Sequence, residues 1–208
     1  MTLGIFIARL LAAAALGSAS IASAATLIVS GGILQGATDV DVNGAMYDVR
    51  FVDGTCQALF SGCDEDADFI FRTKETARAA AQALLDQVLI DGPAGNFDSV
   101  PQLTAGCIDT YGFCLTIIPY KITHPGRTAA TAAVWLENFV TSGGDVIYDS
   151  IGAGTEDTAK FKFKNYVQFT PHYPPIPEPA TWVTMIVGFG LVGTAMRRRP
   201  AGRPAQAA

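Results

Sequence analysis

One stretch of this 208-residue chain repeats its apolar residues with a helical period, and that restricts the fold more than any other feature. Between Thr73 and Ile90, the residues Ala77, Ala80, Ala81, Leu84, Leu85, Val88 and Leu89 recur three and four apart, which lines one side of a helix. Thr73 suits the N-cap, and Asp91-Gly92-Pro93 supplies a stop. The alanines predict close packing against a sheet. Elsewhere the pattern has a period of two. Val40-Asp41-Val42-Asn43-Gly44-Ala45-Met46-Tyr47 predicts a hairpin, because Asn-Gly accepts the positive φ angles of a type I′ turn. The strand after it, Met46 to Val52, puts Tyr47, Val49 and Phe51 on one face and Met46, Asp48 and Arg50 on the other. Phe69-Ile70-Phe71 reads as a short strand leading into the helix. Phe113 to Ile122 and Thr131 to Phe139 are further strand candidates. Lys160 to Phe169 alternates, with Phe161, Phe163, Val167 and Phe169 facing one way. One helix among several strands, with hairpin turns and no βαβ rhythm, predicts an α+β fold with a mainly antiparallel sheet.

Two terminal segments fall outside that domain. Residues 1–24 carry one charge, Arg9, then the apolar run Leu10 to Leu16 and a stretch of small residues ending Ala22-Ser23-Ala24. That order is a secretory signal peptide with cleavage after Ala24, since the apolar run is short for a spanning helix. Residues 25–173 form the exported α+β domain. Residues 174–179 are a proline-rich linker, extended because proline interrupts helix and sheet interiors. Residues 180–196 are charge-free and expected to form a transmembrane helix, short at about 26 Å against a hydrocarbon core of about 30 Å. Residues 197–208 make a basic tail, and its arginines place it on the cytoplasmic side with the domain outside.

The cysteines fit an oxidising compartment. Cys56, Cys63, Cys107 and Cys114 form two C-x6-C spacings, and an even count in an exported chain points to disulfides. Three connectivities are possible on paper. Local pairing, Cys56 with Cys63 and Cys107 with Cys114, is expected because each spacer can turn back on itself. Closing such a loop restricts the unfolded chain by about 2.5 kcal/mol. Zinc is the rival reading, although zinc sites favour shorter spacings. The exported domain is acidic, with 9 Lys and Arg against 18 Asp and Glu between residues 25 and 173. Such a surface offers nothing to offset phosphate repulsion, which argues against a nucleic-acid partner.

The tail carries a resemblance. Pro177-Glu178-Pro179, Trp182, Met185, Gly188, Gly190, Gly193 and the cluster Arg197, Arg198 and Arg199 look like a PEP-CTERM sorting signal of the PEPxxWA kind, with Val183 in place of the usual alanine. The same tail is also known as an ice-binding protein C-terminal motif, a label for the tail rather than for an activity. The resemblance implies export across the inner membrane of a Gram-negative bacterium, signal peptidase and an exosortase as processing partners, and transient anchoring through the C-terminal helix. Release to the cell surface or matrix follows, in association with exopolysaccharide and biofilm.

Chemistry is sparse in the domain. His124 sits in a turn, His172 lies at the proline-rich exit, and no G-x-S-x-G elbow is present. Asp109 and Glu137 are single carboxylates. No catalytic residues are assigned. Asp64-Glu65-Asp66-Ala67-Asp68 is the one acidic cluster, and alternating Asp64, Asp66 and Asp68 are candidate Ca²⁺ ligands. Phe69 stands where a calcium loop needs glycine, so an EF-hand is rejected and no cofactor is assigned. The expected role is a non-enzymatic surface protein that binds polysaccharide or a neighbouring protein, with Tyr111, Tyr120 and Tyr148 as candidate sugar-stacking rings. The alternatives are a secreted polysaccharide hydrolase working through paired carboxylates and a calcium-dependent module.

Overall fold

Two tight turns build the first three strands. Gly31-Gly32 joins β1 (Thr26–Ser30) to β2 (Ile33–Val42), and Asn43-Gly44 joins β2 to β3 (Ala45–Val52). Asn43 and Gly44 both have positive φ, 55° and 86°, which is the type I′ turn expected from Asn-Gly. The Asp41 carboxylate accepts from Gly44 N at 2.6 Å and closes the turn. The computed structural model of the chain describes residues 24–108, 111–123, 130–141 and 144–172, together with 186, 187 and 189.

The predicted helix is α2 (Lys74–Gln87), preceded by the short α1 (Cys56–Leu59). Thr73 caps α2 by accepting from Thr76 N at 3.2 Å. The alanine stripe does what its spacing implies. Ala77, Ala80, Ala81 and Leu84 are fully buried, with Ala83, Val88 and Leu89 beside them. Gln87 ties the C-terminal end to β2, donating to Asp41 O at 2.8 Å and accepting from Asp41 N at 2.9 Å. At the other end Lys74 pairs with Asp149 at 2.5 Å, and Arg78 donates to Ile147 O at 3.0 Å.

A two-residue ladder, β4 (Asp91–Gly92) with β5 (Gly95–Asn96), follows the helix. The chain then enters β6 (Phe113–Ile122), β7 (Ala130–Phe139) and β8 (Val146–Ala153), paired as an antiparallel meander. The last strand, β9 (Lys164–Pro171), lies in the middle of the sheet, whose order is β1-β2-β3-β9-β6-β7-β8. It runs antiparallel to β3 and parallel to β6. The sheet is therefore mainly antiparallel with one parallel pair, and a single long helix covers one face: an α+β arrangement. Leu34, Val40, Val49, Phe51, Phe71 and the helix stripe form the main core together with Ile118, Val134, Leu136, Val167 and Phe169. On that face Asn138 donates to Phe97 O at 2.8 Å and Asn165 to Ala105 O at 2.6 Å, which anchors the long connection between β5 and β6.

The parallel pairing of β6 and β9 stops after Ile117 and Tyr166. Leu115 N donates to Phe163 O, and the two-residue period turns position 119 the same way. Proline there has no N–H to continue the ladder. The strands part, and the segment Asp66–Phe71 passes through the opening, with Asp66 accepting from Ile122 N at 2.8 Å. That passage corrects the strand expected at Phe69-Ile70-Phe71. Asp66–Asp68 is a 3-10 turn, Phe69 packs in a second apolar cluster, and Phe71 reaches the main core. A second correction concerns Lys160 to Phe169. Thr158–Lys160 is a 3-10 turn and β9 begins at Lys164, so Val167 and Phe169 enter the main core while Phe161 and Phe163 belong to a separate ring cluster.

Both local disulfides are formed, Cys56–Cys63 and Cys107–Cys114, with Cα–Cα separations of 5.7 and 5.5 Å. The chain divides into two units, Met1–His172 and Tyr173–Ala208. The signal peptide falls outside the described residues except for Ala24. The segment 180–196 falls outside them except for Ile186, Val187 and Phe189. Among the described residues no helix is long and apolar enough to cross a membrane.

Candidate functional site

The sheet face opposite α2 is only partly covered. Over its middle lies the first disulfide segment, where Cys56, Cys63 and Phe69 pack with Leu115, Ile117, Ile122 and Tyr166, and Leu59 and Phe60 add to them. Gln168 fastens this cover by donating to Leu59 O at 2.6 Å. Burial among these residues, and then the nearby Glu156 charge, pushes the Tyr166 phenol up to about 12.

An open run of rings flanks the cover. Phe113 and Phe139 are register partners on β6 and β7, with centroids 5.5 Å apart. Phe163 meets Phe113 at 5.6 Å and Phe161 at 6.1 Å. Tyr111 completes the run, edge-on to Phe163 at 5.2 Å and 64% exposed. The second disulfide fixes its place, because Tyr111 lies in the loop closed by Cys107 and Cys114, and Val140 N donates to Gly112 O at 2.9 Å behind it. Ile108 within the loop and Val140 beside it are also exposed. Phe161 carries Lys164 Nζ 3.7 Å from its ring centre, and the same ammonium pairs with Glu156.

On β7 and β8 the same face carries Trp135, Glu137 and Tyr148. The Trp135 and Tyr148 rings lie 5.9 Å apart, and Tyr148 Oη donates to Glu137 Oε1 at 2.5 Å. Burial, followed by that hydrogen bond and the Glu137 charge, holds the Tyr148 phenol far above its ordinary range. The phenol therefore stays a donor, and Glu137 is an acceptor oriented by it.

The sequence-predicted residues fare differently. Tyr111 is exposed on the open face, Tyr148 shares that face half-buried, and Tyr120 sits at the helix side near Lys74 and Asp149. Asp66 and Asp68 are turned to backbone donors: Asp68 accepts from Asp64 N at 3.0 Å and Glu65 N at 3.2 Å. Among the described residues no group of three or more His, Cys, Asp or Glu side chains is placed to hold a metal ion. His172 is clasped by Asp48 at 3.0 Å and faces Asp39 at 3.6 Å. His124, Asp109 and the sorting residues Pro177, Glu178, Pro179, Trp182, Gly188, Gly190 and Arg197–Arg199 lie outside the described residues. Phe113, Phe139 and Trp135 join the open face without being among the sequence-predicted site residues. The signal was the two-residue period of Thr131 to Phe139, which puts Trp135, Glu137 and Phe139 on one face.

No curated protein and no solved structure matches the chain. A family comparison does match its C-terminal region: residues 175–199 are a PEP-CTERM protein-sorting motif, the mark of an exported protein sorted by an exosortase.

Proposed function

We propose that the chain is a non-enzymatic surface or matrix protein, delivered by its sorting motif, whose domain binds a polysaccharide along the open ring run. The observation that carries this reading is the exposure of Tyr111 at the end of a fixed line of aromatic side chains, held by a disulfide loop. A sugar ring stacked on a fixed aromatic face needs little reordering of the protein, which keeps the entropy cost of binding low. Oriented acceptors beside the rings, Glu137 above all, suit sugar hydroxyls. Release to the exopolysaccharide matrix of a Gram-negative cell completes the reading, and the sorting motif supports it.

The test is binding of the full chain, purified in detergent, to exopolysaccharide isolated from the cells that make it. Tyr111→Ala should weaken retention about five- to tenfold, since an aromatic contact contributes around 1 kcal/mol, while the melting temperature stays unchanged. Equal retention by the variant, or no retention of the parent chain, would refute the reading.

A further inference from the structure

The other half of the open face has no rings. Strand register places Ile28, Gly36, Arg50 and Gln168 in one row across β1, β2, β3 and β9. Three of these positions carry side chains and the fourth is glycine, so the row dips over β2. Gly36 cannot be otherwise, because a Cβ there would lie 2.0 Å from Val49 O. Beside the row lies a trough of about 760 Å³, lined by its Ile28, Arg50 and Gln168 together with Ser30, Gln35, Asp48 and Thr170. That volume falls within the range of small-ligand sites, roughly 300–1,000 Å³.

Apart from Ile28 and Val49, the lining is hydroxyl, amide and charge. Arg50 is exposed and makes no ion pair among the described residues, although the domain holds twice as many acidic as basic side chains. Every other part of the lining is neutral or committed: Asp48 holds His172, and the Gln168 amide nitrogen is given to Leu59 O. The Gln168 carbonyl, the Ser30 and Thr170 hydroxyls and the second edge of Asp48 can still exchange hydrogen bonds with a ligand. A guanidinium fork pairs bidentately with a planar carboxylate, and a carboxylate acceptor beside it favours a ligand that also brings hydroxyl donors. A carboxylate presents both oxygens in the plane of the fork, and the ring hydroxyls beside it reach Asp48 and Gln168.

We infer that this trough is a subsite for a carboxylated sugar unit, with Arg50 on the carboxylate and Asp48 and Gln168 on its hydroxyls. The inference rests on the polysaccharide reading for the polymeric nature of the ligand, but it uses residues separate from the ring run. Biolayer interferometry of the full chain in detergent tests it with immobilised polygalacturonate, its methyl ester and dextran sulfate. Polygalacturonate should bind, and methyl esterification or Arg50→Gln should each weaken binding about tenfold, with dextran sulfate no better than the ester. Arg50→Lys should recover only part of the loss, because it restores charge without the fork. Equal binding of polygalacturonate and its ester, insensitivity to Arg50→Gln, or preference for dextran sulfate would each overturn the inference. Tyr111→Ala in the same assay reports on the ring run, so a failure of one site is distinguishable from a failure of the other.

Discussion

Replacing the two members of the Lys164–Glu156 pair should have very unequal costs. Lys164 is 6% exposed, while about a third of the Glu156 side chain (32%) reaches solvent. Removing one partner of a buried pair costs about 3–5 kcal/mol when it strands the other charge. Glu156→Gln strands the buried one. The ammonium keeps the Phe161 face 3.7 Å away and an amide oxygen in place of the carboxylate. A cation–π contact contributes about 0.5–2 kcal/mol, so the net loss should be about 2–3 kcal/mol. Lys164→Met keeps the apolar stem in its packing and leaves behind a carboxylate that water can reach; its cost should stay below about 1 kcal/mol. Urea unfolding of the full chain reads both values, followed by circular dichroism so that the tail tryptophan does not contribute. For a domain of this size the larger loss corresponds to a fall in melting temperature of roughly 5–10 °C. Equal costs, or a larger loss for Lys164→Met, would show that the pair is not held as a buried ammonium with a semi-exposed partner.

Two further outcomes are expected. Gly36→Ala should cost more than about 3 kcal/mol or prevent accumulation of folded protein, since the new methyl group must displace the β3 backbone; Gly92→Ala, with nothing within 4 Å, is the neutral control in the same unfolding assay. The pH dependence near Tyr166 has a definite sign. Its phenol titrates at about 12 in the folded chain against 10 in the unfolded one, so its contribution is intact below pH 10 and is lost as pH rises from 10 to 12, by about 2–3 kcal/mol. Tyr166→Phe should flatten that part of the urea-midpoint profile, and an unchanged slope would refute the assignment.

The helix and the Asn43-Gly44 hairpin were legible because each depends on neighbours within a few positions. So was the two-faced pattern of β3, with Val49 and Phe51 inward and Arg50 outward. The disulfides were legible for the same reason, each closing a short loop. What the sequence hid depends on distant pairing. β8 is interrupted by Asp149 and Gly152, and only its eight register partners on β7 make it a strand. Phe161 and Phe163 continue the alternation of Val167 and Phe169, yet the ladder to β3 begins at Tyr166 and leaves them outside it. Phe69 and Phe71 look like a strand because both are buried, but they fill opposite sides of the gap that Pro119 opens. At the candidate site Tyr111 stood out by type alone. The Arg50 trough required a register running from Ile28 to Gln168, and no local pattern carries that.

The position of β9 has a consequence in time. It is the last strand of the domain in the chain and the fourth of seven across the sheet, where it joins β1-β2-β3 to β6-β7-β8. A chain that emerges N-terminus first can assemble each three-strand half early, from local hairpins. The sheet cannot close until residues 164–171 arrive, and the motif at 175–199 follows at once. Closing the sheet over so long a loop is slow, since its contacts are far apart in the sequence. The sheet thus closes only as the sorting motif emerges, and a chain halted before residue 164 presents two unfinished halves of it.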